Sequence, residues 1–205
     1  METSIRPAVP ADVPQINAIY SHYILHTSIS FVTAPFPDST ILARYSSIVG
    51  QQHLPFLVAT IPGRAVDPDR EDVSGVSDDI ITGYTYATAY RADHAAYGHT
   101  AEMTLLVHPD YHSRGIGSLL MSRLIAELHR SPGDSQAPVI TEVLACMAVD
   151  IEGPGQGQAL RDWYMKHGFS EQGRLEKVGW KRGRWVDVLF MQKSLPDNRS
   201  LVEVS

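Results

Sequence analysis

The chain has 205 residues, 43% of them hydrophobic and 20% charged, which is enough apolar matter for one domain with a packed core. A formal net charge of −6 argues against a general nucleic-acid-binding role. The one cysteine, Cys146, excludes an internal disulfide, and no apolar run approaches the roughly 18 residues of a membrane-spanning helix. The opening Met-Glu-Thr-Ser-Ile-Arg-Pro lacks the apolar core of a signal peptide, so a cytoplasmic protein is expected.

Ser4 to Val9 reads as a first strand, ended by Pro10-Ala11. Asp12 is placed to cap the helix that follows, with Pro14 in its first turn. Ile16, Ile19, Tyr20, Tyr23 and Ile24 recur on one face of that helix. His22 and His26 stand one turn apart, as metal ligands can, but no third ligand is near and a solvated helix edge is expected. Thr27 to Pro37 reads as irregular, and Ser39 to Gln52 as a second helix. Phe56 to Ile61 is a strand. Pro62 to Asp79 is polar and glycine- and proline-containing, and is expected to be a mobile insertion within a hairpin. Ile80 to Arg91 is a long strand with Tyr84, Tyr86 and Tyr90 on one face, lining a pocket or packing beneath a helix.

The most informative stretch comes next. Met103 to Val107 is an apolar strand, Pro109 to Gly117 a glycine-containing loop, and Ile116, Leu119, Leu120, Leu124 and Leu128 mark a helix. Strand, loop and helix in this order direct free N–H groups and a positive dipole end at one point, which suits a phosphate. The two common phosphate motifs do not fit. Gly117-Ser118 supplies no lysine for a nucleotide-triphosphate loop, and Leu120 occupies the third glycine position of a dinucleotide fingerprint.

Ser131 to Pro138 reads as a polar linker, and Val139 to Val149 as an apolar strand in which Cys146 is a small buried thiol. Glu152 to Gln158 is a glycine-rich loop that lets backbone approach a ligand. Leu160, Trp163, Tyr164 and His167 mark a short helix stopping at Gly168. Phe169 to Val178 and Trp185 to Lys193 read as closing strands, joined through Gly179 to Arg184. The result is one α+β domain over residues 1–195, a mixed central sheet flanked by helices, with a frayed tail over 196–205.

Val107-x-Pro109 followed by His112-Ser113-Arg114-Gly115-Ile116-Gly117 resembles the acyl-CoA loop of the Gcn5-related N-acetyltransferase (GNAT) superfamily. That loop is usually Gln/Arg-x-x-Gly-x-Gly/Ala, so His112 departs from its first position. His22-Tyr23-Ile24, Thr27 to Phe31, Thr100-Ala101-Glu102, Gly168-Phe169 and Val178 to Val188 together resemble the phosphinothricin acetyltransferase group. The resemblance covers nearly the whole chain and matches its order of elements. It implies acetyl-CoA as co-substrate, no metal, and a homodimer to which Trp185 and Asp187 belong structurally. The implied acceptor is a small amino acid or analogue such as phosphinothricin or methionine sulfoximine. Rival acceptors are a polyamine, a protein N-terminus or lysine, and a non-catalytic acyl-CoA-binding module is the rival from another class.

Acetyl transfer to an amine needs a base for the ammonium, N–H donors for an oxyanion, and a hydrogen bond or proton for the departing thiolate. The resemblance makes Glu102, in an otherwise apolar strand, the candidate base; the residues alone read it as a Glu at the strand's frayed, wet start. The resemblance makes Tyr164 the candidate acid, although the phosphinothricin-type enzymes carry a histidine at about this place; the other reading is a core aromatic of its helix. The resemblance implies that Leu105, Leu106 and Val107 hold the pantetheine arm, and that His112, Ser113, Arg114, Gly115, Ile116, Gly117 and Ser118 hold the pyrophosphate. Arg114 is either a charge partner there or a solvated side chain. Gln156 stands near where the family often has a cofactor-touching Asn. Phe31 and Tyr86 are candidates for the acceptor wall, and Arg91 for a substrate carboxylate or an exposed strand end.

Overall fold

The apolar runs become strands wherever two faces are covered. The computed structural model describes residues 2–63, 79–129 and 137–196. Most of the expected insertion (64–78), most of the polar linker (131–136) and the tail beyond Pro196 lie outside the described residues. The described strands are β1 (Ser4–Pro7), β2 (Phe56–Ile61), β3 (Ile80–Ala89), β4 (Thr100–Val107), β5 (Glu142–Ala148), β6 (Ser170–Lys181) and β7 (Arg184–Ser194). They form one sheet in the order β1-β2-β3-β4-β5-β7-β6. Every neighbouring pair is antiparallel except β4 and β5. Helices α1 (Val13–His26), α2 (Asp38–Ser46), α3 (Ile116–His129) and α4 (Gln158–Lys166) complete the α+β arrangement that the sequence predicts.

Strand register decides which side chains share a face. Tyr84 pairs with Leu106, Tyr86 with Thr104 and Thr88 with Glu102, so these residues stand on one side. On that side Phe56 and Tyr45 of α2 join Tyr84 and Tyr86 in an aromatic cluster. The opposite side carries Leu105, Val107 and Gly83, against which α3 packs its fully buried Leu120. A Cβ on Gly83 would come within 3.1 Å of Leu120, which is why this strand position is glycine.

The parallel pair is the feature that makes room for a site. β4 and β5 pair only from Thr100↔Glu142 to Met103↔Ala145. Beyond that point β4 continues on β3 as far as Val107, while β5 continues on β7 as far as Ala148. The two strands therefore part in the middle of the sheet.

Three local expectations need correction. Asp12 does not cap α1: its carboxylate accepts the Val9 N–H at 2.8 Å and pairs with the Arg6 guanidinium at 2.7 Å, closing the short turn before the helix. The second helix ends at Ser46 and continues as one wide π turn over Ser47–Gln51. The β6–β7 connection is only Arg182-Gly183, both at positive φ (53° and 76°), so Gly179 to Lys181 belong to the strand. That two-residue geometry follows the right-handed twist of the flanking strands.

Candidate active site

A cavity of about 490 Å3 opens where β4 and β5 part. Leu105, Leu106 and Val107 form one wall, the loop and first turn of α3 the next, and Leu160, Trp163 and Tyr164 of α4 the third. The first hydrogen bond of α3 runs from Leu119 N–H to Gly115 O at 3.1 Å. The N–H groups of Ile116, Gly117 and Ser118 therefore have no partner within the helix. All three residues line the cavity, so the positive end of the helix faces into it. Ser113 and Gly115 turn the loop with φ of 59° and 79°. An added Cβ at Gly115 would meet nothing within 4 Å, so this glycine serves conformation. At Gly117 a Cβ would touch Trp163 at 3.5 Å and take up cavity space.

His112, the departure from the usual loop wording, has a definite place. Its Nε2 lies 2.7 Å from the Tyr23 hydroxyl and 3.1 Å from the Val107 carbonyl oxygen. Tyr23 itself donates to that carbonyl at 2.5 Å, and burial pushes its pKa up to about 12. The loop is thereby tied to α1 and to the end of β4. Arg114 turns away instead. Its guanidinium lies 4.9 Å from the Tyr111 ring centroid and donates to the Asp110 carbonyl at 3.1 Å. Gln156 sits at φ 54° between two glycines, and the cavity wall there is made by Gly153 and Gly157 rather than by it.

A second cavity of about 450 Å3 adjoins the first, and the two share Tyr23, Ile29, Leu105, Leu106, Ala148, Leu160 and Tyr164. Glu102 is in its wall, half-buried, and burial raises its carboxyl pKa above the ordinary glutamate value. Tyr164 is buried between the cavities, edge-on to Trp163 and Phe169. Burial pushes its phenol up to about 12. Phe31 and Tyr86 also line this space. Phe31 lies against Gly179 of β6, where a Cβ would overlap its ring. Arg91 lies elsewhere: it follows β3 at φ 47° and stacks over Tyr90 and Tyr97 at 5.4 and 5.8 Å.

Cys146 is a correction. It is exposed rather than buried, and it lines the second cavity, just past the last β4–β5 pair at Ala145. The sequence reading missed Tyr20, Tyr23, Ile29 and Ser30 as wall residues. The helical stripe gave the buried side of α1, but not which end of it meets a cavity. Among the described residues no group of three or more His, Cys, Asp or Glu could hold a metal ion. No described helix is long and apolar enough to cross a membrane.

A carboxylate and a phenol thus face one space from two sides, beside a loop whose free amides suit a phosphate. Comparisons with known proteins identify relatives of this chain. The family described as "Acetyltransferase (GNAT) domain" matches residues 71–171. The phosphinothricin N-acetyltransferase of Alcaligenes faecalis is 31% identical over 192 residues, covering 94% of this chain and 82% of that one. The L-amino acid N-acyltransferase MnaT of Escherichia coli (strain K12) is 31% identical over 194 residues, covering 95% of each. Among solved structures, the acetyltransferase yncA of Salmonella typhimurium with acetyl-CoA aligns with a TM-score of 0.75 and 27% identity, over 97% of this chain and 96% of that one. The phosphinothricin acetyltransferase of Sinorhizobium meliloti in complex with acetyl-CoA aligns with a TM-score of 0.75 and 26% identity, over 98% and 92%.

Proposed function

Since the chain belongs to the GNAT family of acetyl-CoA-dependent N-acetyltransferases, we propose that its acceptor is the amino group of a small amino acid or close analogue, of the phosphinothricin or methionine sulfoximine kind. The observation that carries this reading is the second cavity. It is small, walled by aromatic and aliphatic side chains, and among the described residues has Glu102 as the one carboxylate in its lining. A polyamine or a basic peptide would call for a broad acidic groove instead.

The first cavity fits acetyl-CoA on its own geometry. The free N–H groups at the start of α3 suit a pyrophosphate, and Leu105 to Val107 form a strand edge released by β5, suited to an extended amide-bearing arm. Bound there, acetyl-CoA supplies a thioester at the junction with the second cavity. In our reading Glu102 takes a proton from the acceptor ammonium, whose pKa is roughly 8, directly or through water. The freed amine nitrogen forms a bond to the acetyl carbon, the carbon–sulfur bond breaks, and the second proton shed by the nitrogen goes to the departing thiolate, which leaves as the CoA thiol. Tyr164 stands beside both cavities. With a pKa near 12 it keeps its proton against a thiolate of about 8.5. Its role is therefore to donate a hydrogen bond to the departing sulfur.

Thiol release from acetyl-CoA, followed across a panel of amino acids that includes phosphinothricin and methionine sulfoximine, tests the reading. We expect turnover on at least one member. Glu102→Gln should lower kcat by about 10²–10⁴-fold with acetyl-CoA binding intact, and Tyr164→Phe by about tenfold. A fully active Glu102→Gln enzyme would remove Glu102 as base. Silence across the panel would sink the amino-acid reading.

We also propose that the enzyme works as a homodimer. Trp180 and Trp185 are 58% and 56% exposed and pack on each other at 5.1 Å on the edge hairpin, near exposed Leu175 and Val178. Patches of this kind mark interaction sites. A monomeric mass in sedimentation at working concentration would overturn this.

A further inference from the structure

An amino-acid acceptor brings its own carboxylate into the second cavity, a point that rests on the acceptor reading above. Among the described residues no cation lines that cavity, and Arg91 is stacked on Tyr90 and Tyr97 outside it. Lys181 and Arg44 stand behind its wall. Lys181 is buried and donates to the Ser30 carbonyl, holding the Ser30–Val32 segment in place. Arg44 of α2 is different. Its guanidinium carbon lies 5.7 Å from the ring centroids of both Tyr20 and Phe36, and among the described residues it belongs to none of the ion pairs. It is half-buried. Burial pushes its pKa down, yet the Tyr86 and Tyr20 oxygens outweigh burial and the net shift is upward.

Tyr20 and Tyr86 both line the cavity. Tyr86 pairs with Thr104 across β3 and β4, one same-face position from Glu102. Tyr20 comes from α1 and packs on Phe36 at 6.2 Å. The cavity therefore runs from Glu102, past Thr104 and Tyr86, to Tyr20, with Arg44 behind the far end. We propose that Tyr20, Tyr86 and Arg44 form an anion subsite that binds the carboxylate, or an equivalent oxyanion, of the acceptor. The two hydroxyls donate the contacts. Arg44 is a positioning residue that orients those hydroxyls and supplies positive potential through a low-dielectric wall. The acceptor amine is then held toward Glu102, and amines without an anionic group are taken poorly.

The test compares two acceptors of equal side chain, L-methionine sulfone and 3-(methylsulfonyl)propan-1-amine, which lacks the carboxylate. Arg44→Met should raise KM for the amino acid by about 10–100-fold, the weight of a charge-assisted contact, with kcat nearly unchanged. KM for the plain amine and for acetyl-CoA should stay as in the wild type. Arg44→Lys should recover part of the loss, and Tyr20→Phe should reproduce its selectivity. Equal losses on both acceptors, or none on either, would overturn the subsite. Calorimetric binding of L-methionine sulfone in the presence of CoA separates this from the acceptor reading. If the wild type binds it but turns over neither compound, the acceptor reading fails and Arg44→Met must still weaken binding by about tenfold or more. If the wild type does not bind it, or if the two proteins bind it equally, the subsite is wrong.

Discussion

The two cavities that meet at Tyr164 are made of different material. The first draws its polar groups from main chain, with the open edge of β4, a loop turned by positive φ at Ser113 and Gly115, and the unbonded amides at the start of α3, closed by the apolar side chains of α4. The second draws its polar and aromatic groups from side chains, with rings from α1 and β3, a carboxylate from β4, and a segment after α1 held by the β6–β7 hairpin. Main-chain sites depend on conformation, so their residues are set by φ and by the absence of a Cβ. Side-chain sites depend on what neighbouring elements bring alongside, and their chemistry can change without altering the backbone. One fold can therefore keep its acetyl donor while its acceptor varies.

Glu102 offers the largest test of that contrast. Its raised pKa means that the folded protein holds the proton more tightly than the unfolded chain. The protonated group favours folding below the unfolded pKa of about 4.3, and that contribution is lost as pH rises through the folded value. At neutral pH the buried charge is a cost. Glu102→Gln should therefore melt no lower than the wild type at pH 7 while losing turnover. The acid limb of the wild-type kcat profile should sit above the ordinary glutamate range. A clear fall in Tm with preserved activity would make Glu102 structural.

Gly115→Val tests the other cavity. A β-branched residue at φ 79° is strained by about 1–2 kcal/mol, although space for it exists. We expect KM for acetyl-CoA to rise by about tenfold or more with acceptor KM unchanged. Gly115→Asn, which tolerates this conformation, should keep most of the affinity. Equal damage from both would mean that space, not φ, matters there.

The sequence was readable where a rule acts within one element. Apolar periodicity gave the order of strands and helices, and the glycine spacing located the loop whose residues line the first cavity. It was unreadable where the outcome depends on a neighbour. Cys146 is exposed because the face it stands on opens into the second cavity, which a strand's own apolar run does not reveal. Arg91 points away because the chain turns at positive φ just past β3. Asp12 was a better partner for Arg6 than for the helix behind it. Arg44 carries no motif of its own, and its setting is supplied by Tyr20 and Tyr86 from other elements.

Gly179→Ala should have a smaller effect, confined to the acceptor side. The new Cβ would overlap the Phe31 ring, so the ring must swing, and it lines the second cavity. Phe31 is 42% exposed and can move. We expect acceptor KM to rise by about two- to fivefold, within the roughly 1 kcal/mol that such repacking costs, with acetyl-CoA KM unchanged. A change in acetyl-CoA KM instead would show that the two cavities are not independent.

Arg114→Ala should have the smallest effect, although this is the residue whose charge makes it the obvious phosphate partner. Its guanidinium is already engaged with the Tyr111 ring and the Asp110 carbonyl, and it is not in the cavity wall. A surface contact of this kind contributes under about 1 kcal/mol, so acetyl-CoA KM should change by less than about fivefold. His112→Ala is the informative partner. It removes the tie between the loop, Tyr23 and the Val107 carbonyl, and should weaken acetyl-CoA more than Arg114→Ala although it removes no fixed charge. The reverse ranking would mean that the loop binds through side-chain charge, and the contrast between a main-chain donor site and a side-chain acceptor site would fail at its clearest point.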